Sequence, residues 1–141
     1  MTFHNLAHHS RGPLRFAVVA AVGVSTLALA VGSASAKSAT DIAVSPHRAH
    51  VGAVLRVTGN GGSDDPVYQR LCIQDRVGRH GVWHEITCTH ERYWDGGSLS
   101  LRLRAAHRGT MQFRAVLFVR DNLRQRPQPG PESATVTVVI R

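Results

Sequence analysis

The chain has 141 residues, two cysteines and a formal net charge of +8, with 17 lysine and arginine residues against 9 acids. Beyond a leader, that length builds one hydrophobic core and excludes two domains. Arginine supplies every basic side chain except Lys37, and so positive a surface attracts polyanions such as nucleic acid, anionic wall polymers or acidic lipid headgroups.

Residues 1–36 have the layout of a Sec-type signal peptide. Arg11, Arg15 and the amino terminus give a positive start without an acid, the run from Phe16 to Ala36 is uncharged, and Ala34-Ser35-Ala36 offers a small-residue exit. The rival is an uncut membrane anchor, since about 20 apolar residues span a bilayer. Gly23, Ser25, Thr26, Gly32 and Ser33 dilute the run, so cleavage is expected. No cysteine follows the exit for a lipid anchor, and Arg11 and Arg15 are not adjacent as a twin-arginine signal requires. The expectation is a domain over residues 37–141 that is secreted to the extracellular space or stays with the cell envelope. No later segment is apolar enough to span a membrane.

After Ala36 helical periodicity is missing. Short alternating runs broken by Gly, Pro, Asn and Asp predict an all-β sandwich or barrel. Residues 41–44 form a first strand stopped by Ser45-Pro46. Residues 51–58 follow, with Ala53, Leu55 and Val57 on one face and Arg56 and Thr58 on the other. The cluster from Gly59 through Pro66 is dense in turn formers and is expected not to be strand. Residues 67–74 and 82–88 are the third and fourth strands, around a turn at 78–81. In residues 98–105, Leu99, Leu101 and Leu103 point inward while Ser98, Ser100, Arg102 and Arg104 point to water. Residues 110–120 put Met111, Phe113, Ala115, Leu117 and Val119 on the core face. Residues 121–132, rich in proline and without an apolar pattern, are expected to be a mobile loop. Residues 133–141 close the domain, with Val136, Val138 and Ile140 inward.

Seven antiparallel strands in a domain this size is the count of an immunoglobulin-like β-sandwich. The chain resembles small secreted bacterial immunoglobulin-like domains in Ile42-Ala43-Val44-Ser45-Pro46, Val51-Gly52, Val57-Thr58-Gly59, Leu71-Cys72-Ile73-Gln74, Trp83, Gly109, Phe113-Arg114-Ala115 and Val136-Thr137-Val138. That resemblance implies an adhesion, spacer or ligand-binding module rather than a catalyst. The opening also resembles the apoprotein of enediyne chromoproteins, which implies a carrier enclosing a small hydrophobic ligand. Those proteins carry two disulfides, and this chain has cysteines for one.

In an oxidising compartment Cys72 and Cys88 are expected to pair. Their spacing lacks the C-x-x-C knuckle of structural zinc. Both lie at similar distances from a turn centred on His80, so a hairpin brings them opposite one another. The alternation conflicts with this, because Leu71 and Ile73 should face the core while an outward Cys88 carries Ile86 and Val82 outward too. A bulge in one strand resolves it, giving a surface staple.

Sites for chemistry are weakly marked. His84, Cys88 and His90 alternate onto one strand face, but positions four apart lie roughly 13 Å from each other, too far for one ion. Asn60, Asp64 and Asp65 lack calcium-loop spacing. Glu85, Glu91 and Asp95 share only proximity in sequence. No G-x-S-x-G elbow, P-loop, dinucleotide fingerprint or specific nucleic-acid motif is present, so neither a catalytic residue nor a cofactor is expected. Two features favour binding. Arg102, Arg104, Arg114 and Arg120 face outward on strands expected to be neighbours and suggest a basic stripe interleaved with Val116 and Phe118, suited to an anionic cell-envelope polymer or a protein. Tyr93-Trp94 lies on a strand connection, either as an exposed platform for a carbohydrate or a partner, or with one ring as a plug for the end of the sandwich.

Overall fold

A computed structural model describes residues 38–141. The expected signal peptide lies outside the described residues. Within them the alternating runs become ten strands: β1 (Ser38–Ser45), β2 (Arg48–Ala49), β3 (Val54–Ser63), β4 (Tyr68–Val77), β5 (His84–Cys88), β6 (Arg92–Tyr93), β7 (Gly97–Arg104), β8 (Gly109–Arg120), β9 (Gln128–Glu132) and β10 (Val136–Ile140). The all-β expectation holds, with three short strands added to the seven.

A smaller sheet has the order β1-β3-β7, and a larger one has the order β2-β10-β8-β4-β5, with β6 beside β4 and β9 beside β8. Pro46 has no N–H to donate, so the β1 ladder stops there. The chain then passes to the other sheet, where Arg48 and Ala49 pair in parallel with Val139 and Ile140. Leu55, Val57, Ile73, Phe113 and Val138 are fully buried between the sheets, and Leu71, Ala115 and Leu117 extend the core toward the other end. Each fully buried Val, Leu, Ile or Phe side chain stabilises the fold by roughly 1.5–3 kcal/mol.

Four local expectations are corrected. The glycine-rich stretch does not turn at Gly59; β3 runs on to Ser63. Its backbone is paired on both sides there, Gly59 with Ile42 and Leu99, and Gly61 with Thr40 and Gly97. Close packing demands glycine, because a Cβ on Gly61 would lie 2.8 Å from Leu71 Cδ1. Tertiary pairing thus overrides turn propensity. The second correction concerns residues 121–132, where Gln128–Glu132 form β9 against β8 instead of a loop. Proline is tolerated there because β9 is an edge strand. Third, the last strand begins at Val136 rather than Ser133, whose hydroxyl accepts the Ala115 N–H at 2.9 Å.

The fourth correction concerns the cysteines. Cys72 and Cys88 are bonded, facing one another across β4 and β5 with Cα atoms 4.0 Å apart. The required bulge is in β5: Thr87 opposes Ile73 and Glu85 opposes Gln74, leaving Ile86 over. Ile86 therefore turns to the core cluster while Cys88 stays on the outer face. The bridge is within one sheet, as expected of a staple. It is not at the surface, however, since Cys72 is fully buried.

Candidate functional site

The four arginines of the expected stripe lie on two different sheets. Arg102 and Arg104 belong to β7 in the smaller sheet, and Arg114 and Arg120 to β8 in the larger one. The β7–β8 connection crosses the sandwich, so consecutive strands are not neighbours, and no single stripe forms.

On the smaller sheet Arg102 gains a partner that sequence order hides. Arg56 on β3 stands directly opposite it, with Ser45 of β1 on the other side of Arg56. Arg104, opposite Val54, is next along the strand and donates through Nη1 to Gly52 O at 3.0 Å. All three arginines are exposed, and none makes an ion pair among the described residues. The rows beyond them carry Thr58 with Ser100 and Asn60 with Ser98, a flat polar face. The first acid along it, Asp41, lies opposite Asn60. That is two rows from Arg56, roughly 13 Å at strand spacing.

Connections at the same end enlarge this positive region. Gly52 N–H bonds to Ala105 O, Val51 N–H to Arg141 O and Gly78 N–H to Thr110 O, which ties together three loops and the chain's last residue. Those segments carry Arg48, Arg79, Arg108 and Arg141 with His47, His50, His80 and His107. Asp64, Asp65, Glu91, Asp95 and Asp121 lie in connections at the opposite end. The connections at the arginine end thus hold no acid, whereas those at the opposite end mix acids with Arg124 and Arg126.

The arginines of the larger sheet are engaged. Arg114 donates to Gln74 Oε1 at 2.9 Å and to Glu132 Oε2 at 2.7 Å, and Arg120 pairs with Glu91. Trp83 meets two guanidinium groups, with Arg76 and Arg114 each 4.4 Å from its ring centroid. Arg70 lies over Phe118 at 5.4 Å. Val116 and Phe118 do face outward as expected, but Val116 is buried beneath this layer. Here arginine serves as a cover, laying its apolar stem and flat head over the sheet.

Tyr93 and Trp94 are exposed and neither plugs the end of the sandwich, with 52% and 62% of their surfaces accessible. Tyr93 packs edge-on against Tyr68 at 5.0 Å and against Trp94 at 6.5 Å. The other candidate groups are dispersed. Cys88 is committed to the disulfide, which also uses the second sulfur of the close Cys72, Glu85 and Cys88 grouping. Glu91 and Asp95 pair with Arg120 and Arg92 respectively, and Asp65 Oδ2 accepts the Ser63 hydroxyl at 3.4 Å. Asp75 on β4 has a displaced titration: burial raises its carboxyl above the ordinary 3.8, against the opposing pull of His84 and a backbone hydrogen bond. Among the described residues no helix is long and apolar enough to cross a membrane.

No protein-family model matches the chain, and no curated protein matches it. Among solved structures it is similar to the CARDB domain of a Pyrococcus furiosus protein in complex with di-metal ions, at 10% identity over 74% of this chain and 87% of that one, TM-score 0.49. It is also similar to the sulfur carrier protein SoxY from Chlorobium limicola, at 19% identity over 73% and 79%, TM-score 0.44. A β-glucosidase mutant from Listeria innocua, in complex with laminaribiose, matches at 9% identity over 74% of this chain and 16% of that one, TM-score 0.42. At such scores none of the three carries a functional argument for this chain.

Proposed function

We propose that this chain is a secreted, non-catalytic binding module with an immunoglobulin-like sandwich fold, which engages an anionic polymer of the cell envelope through the outer face of its smaller sheet. The strand order supports the fold: a three-stranded sheet of β1, β3 and β7 accompanies a larger one, and the chain passes from the smaller sheet to the larger between β1 and β2. The observation that carries the function is the opposed pair Arg56 and Arg102, beside Arg104, on an exposed face without an acid in their rows. A repeating anion fits such a flat array, because successive charges can meet successive guanidinium groups and release counterions.

The alternative, a carrier enclosing a hydrophobic ligand, has less support. The space between the sheets is filled by fully buried side chains including Phe113, Leu55, Leu71, Ile73 and Leu117. Co-sedimentation with the producer's own cell envelopes tests the proposal. Binding that collapses as salt is raised, and is weakened by Arg102→Ala/Arg104→Ala, agrees with it. A lack of sedimentation at any salt concentration rejects it.

A further inference from the structure

We infer that the groove between the Tyr68–Tyr93–Trp94 series and the loop after β8 binds an oligosaccharide, at the end of the sandwich opposite the arginine face. The groove has a volume of about 600 Å³ and is lined by Tyr68, Tyr93, Asp121, Asn122, Leu123 and Arg124. Its aromatic wall is set by strand register, since Tyr68 and Tyr93 oppose one another across β4 and β6. Trp94 stands edge-on beside Tyr93, just outside the groove, and is held in place. Its N–H donates to Val67 O at 3.0 Å and its indole Nε1 to Asp64 O at 3.1 Å. Its backbone is left-handed, at φ 55°, a conformation a bulky residue seldom adopts and one that accumulates at functional sites.

The facing wall is equally fixed. Arg120 Nη1 donates to the carbonyls of Leu123 at 3.0 Å and Gln125 at 3.1 Å. The Asp121 N–H bonds to Gln125 Oε1 and the Arg124 N–H to Asn122 Oδ1. These hydrogen bonds order the groove before anything binds, which lowers the entropy cost of binding. The Asp121 carboxylate, the Arg124 guanidinium and both tyrosine hydroxyls have no hydrogen-bond partner among the described residues.

The combination selects the ligand class. Exposed rings offer an apolar surface, and the loop offers acceptors and donors at its rim. A pyranose has the complementary shape, with C–H bonds on its face and hydroxyls around its edge. The open groove does not give the enclosure that a hydrophobic small molecule requires. Trp94 extends the surface beyond the groove, so a chain of sugars gains more contact than a single one.

Isothermal titration of the purified protein with cellohexaose, chitohexaose and maltohexaose tests this. Saturable heat with at least one of them is expected, weakened by about tenfold or more in Tyr93→Ala and in Asp121→Ala. Affinity should be unchanged in Arg102→Ala, which keeps this site separate from the anionic-polymer proposal. Near-UV circular dichroism reports whether the variants retain the fold. No heat with any of the three sugars, or undiminished affinity in both folded groove variants, overturns the inference.

Discussion

Arg56 and Arg102 occupy opposed positions across β3 and β7, so two guanidinium groups share one row of the smaller sheet without an intervening acid. Like charges directly opposite are destabilising, whereas a Thr or Ser there suits the pleated surface. Replacing Arg102 with Thr should therefore stabilise the domain by about 0.2–1 kcal/mol at low ionic strength. The gain should shrink in high salt as the repulsion is screened. Urea unfolding at two salt concentrations checks both halves, and a destabilised variant would contradict the repulsion.

Trp83 has a different relation to arginine. Its ring is stacked on by Arg76 and Arg114, which are themselves fixed by Gln112, Gln74 and Glu132. Trp83→Ala should lower stability by about 2 kcal/mol, from two cation–π contacts and the lost cover over the sheet. Trp83→Phe should recover part of this, as a smaller ring still stacks. Equilibrium unfolding of the three proteins gives the order.

The disulfide closes a loop with a sequence separation of 16 residues. Cys72→Ala/Cys88→Ala should cost about 3 kcal/mol, chiefly by freeing the unfolded chain. Reduction of the wild type before urea unfolding should reproduce most of that loss. If stability is unchanged by both treatments, the bridge is not a staple.

Asp75 gives the fold a pH dependence of defined sign. Burial raises its native carboxyl above the ordinary 3.8, against the weaker pull of His84. Between the unfolded and native values the native state holds more protons, so stability falls as pH rises through that window. Asp75→Asn should accordingly stabilise the protein at neutral pH, with the advantage fading below about pH 4. Thermal unfolding of both proteins across this range provides the test.

The legible parts of the fold were those governed by local alternation. Leu99, Leu101 and Leu103, or Phe113, Ala115 and Leu117, announce their inward face through period two alone. Even a bulge in one of the two cysteine-bearing strands followed from the conflicting alternation, although only the register places it in β5. Hidden were the features set by pairing between distant segments. The Gly59 to Ser63 stretch looks like a turn until β1 and β7 flank it, and Arg56 joins Arg102 only through cross-strand register. Sequence adjacency also misplaced Arg114 and Arg120, because nothing local marks the connection at which the chain crosses between sheets. The Tyr93-Trp94 pair was visible as a candidate, but its facing wall comes from residues 121–124, which folding brings beside it.

The arginine face is tested most directly by the salt dependence of binding to long-chain polyphosphate. Wild type should be compared with Arg56→Ser/Arg102→Ser/Arg104→Ser by fluorescence anisotropy of a labelled polymer. Wild-type affinity should fall linearly in a log–log plot against salt, and the triple variant should bind more weakly with a shallower slope, by somewhat under one unit per lost contact. Equal affinity and slope in the two proteins would contradict an anion-binding role for that face.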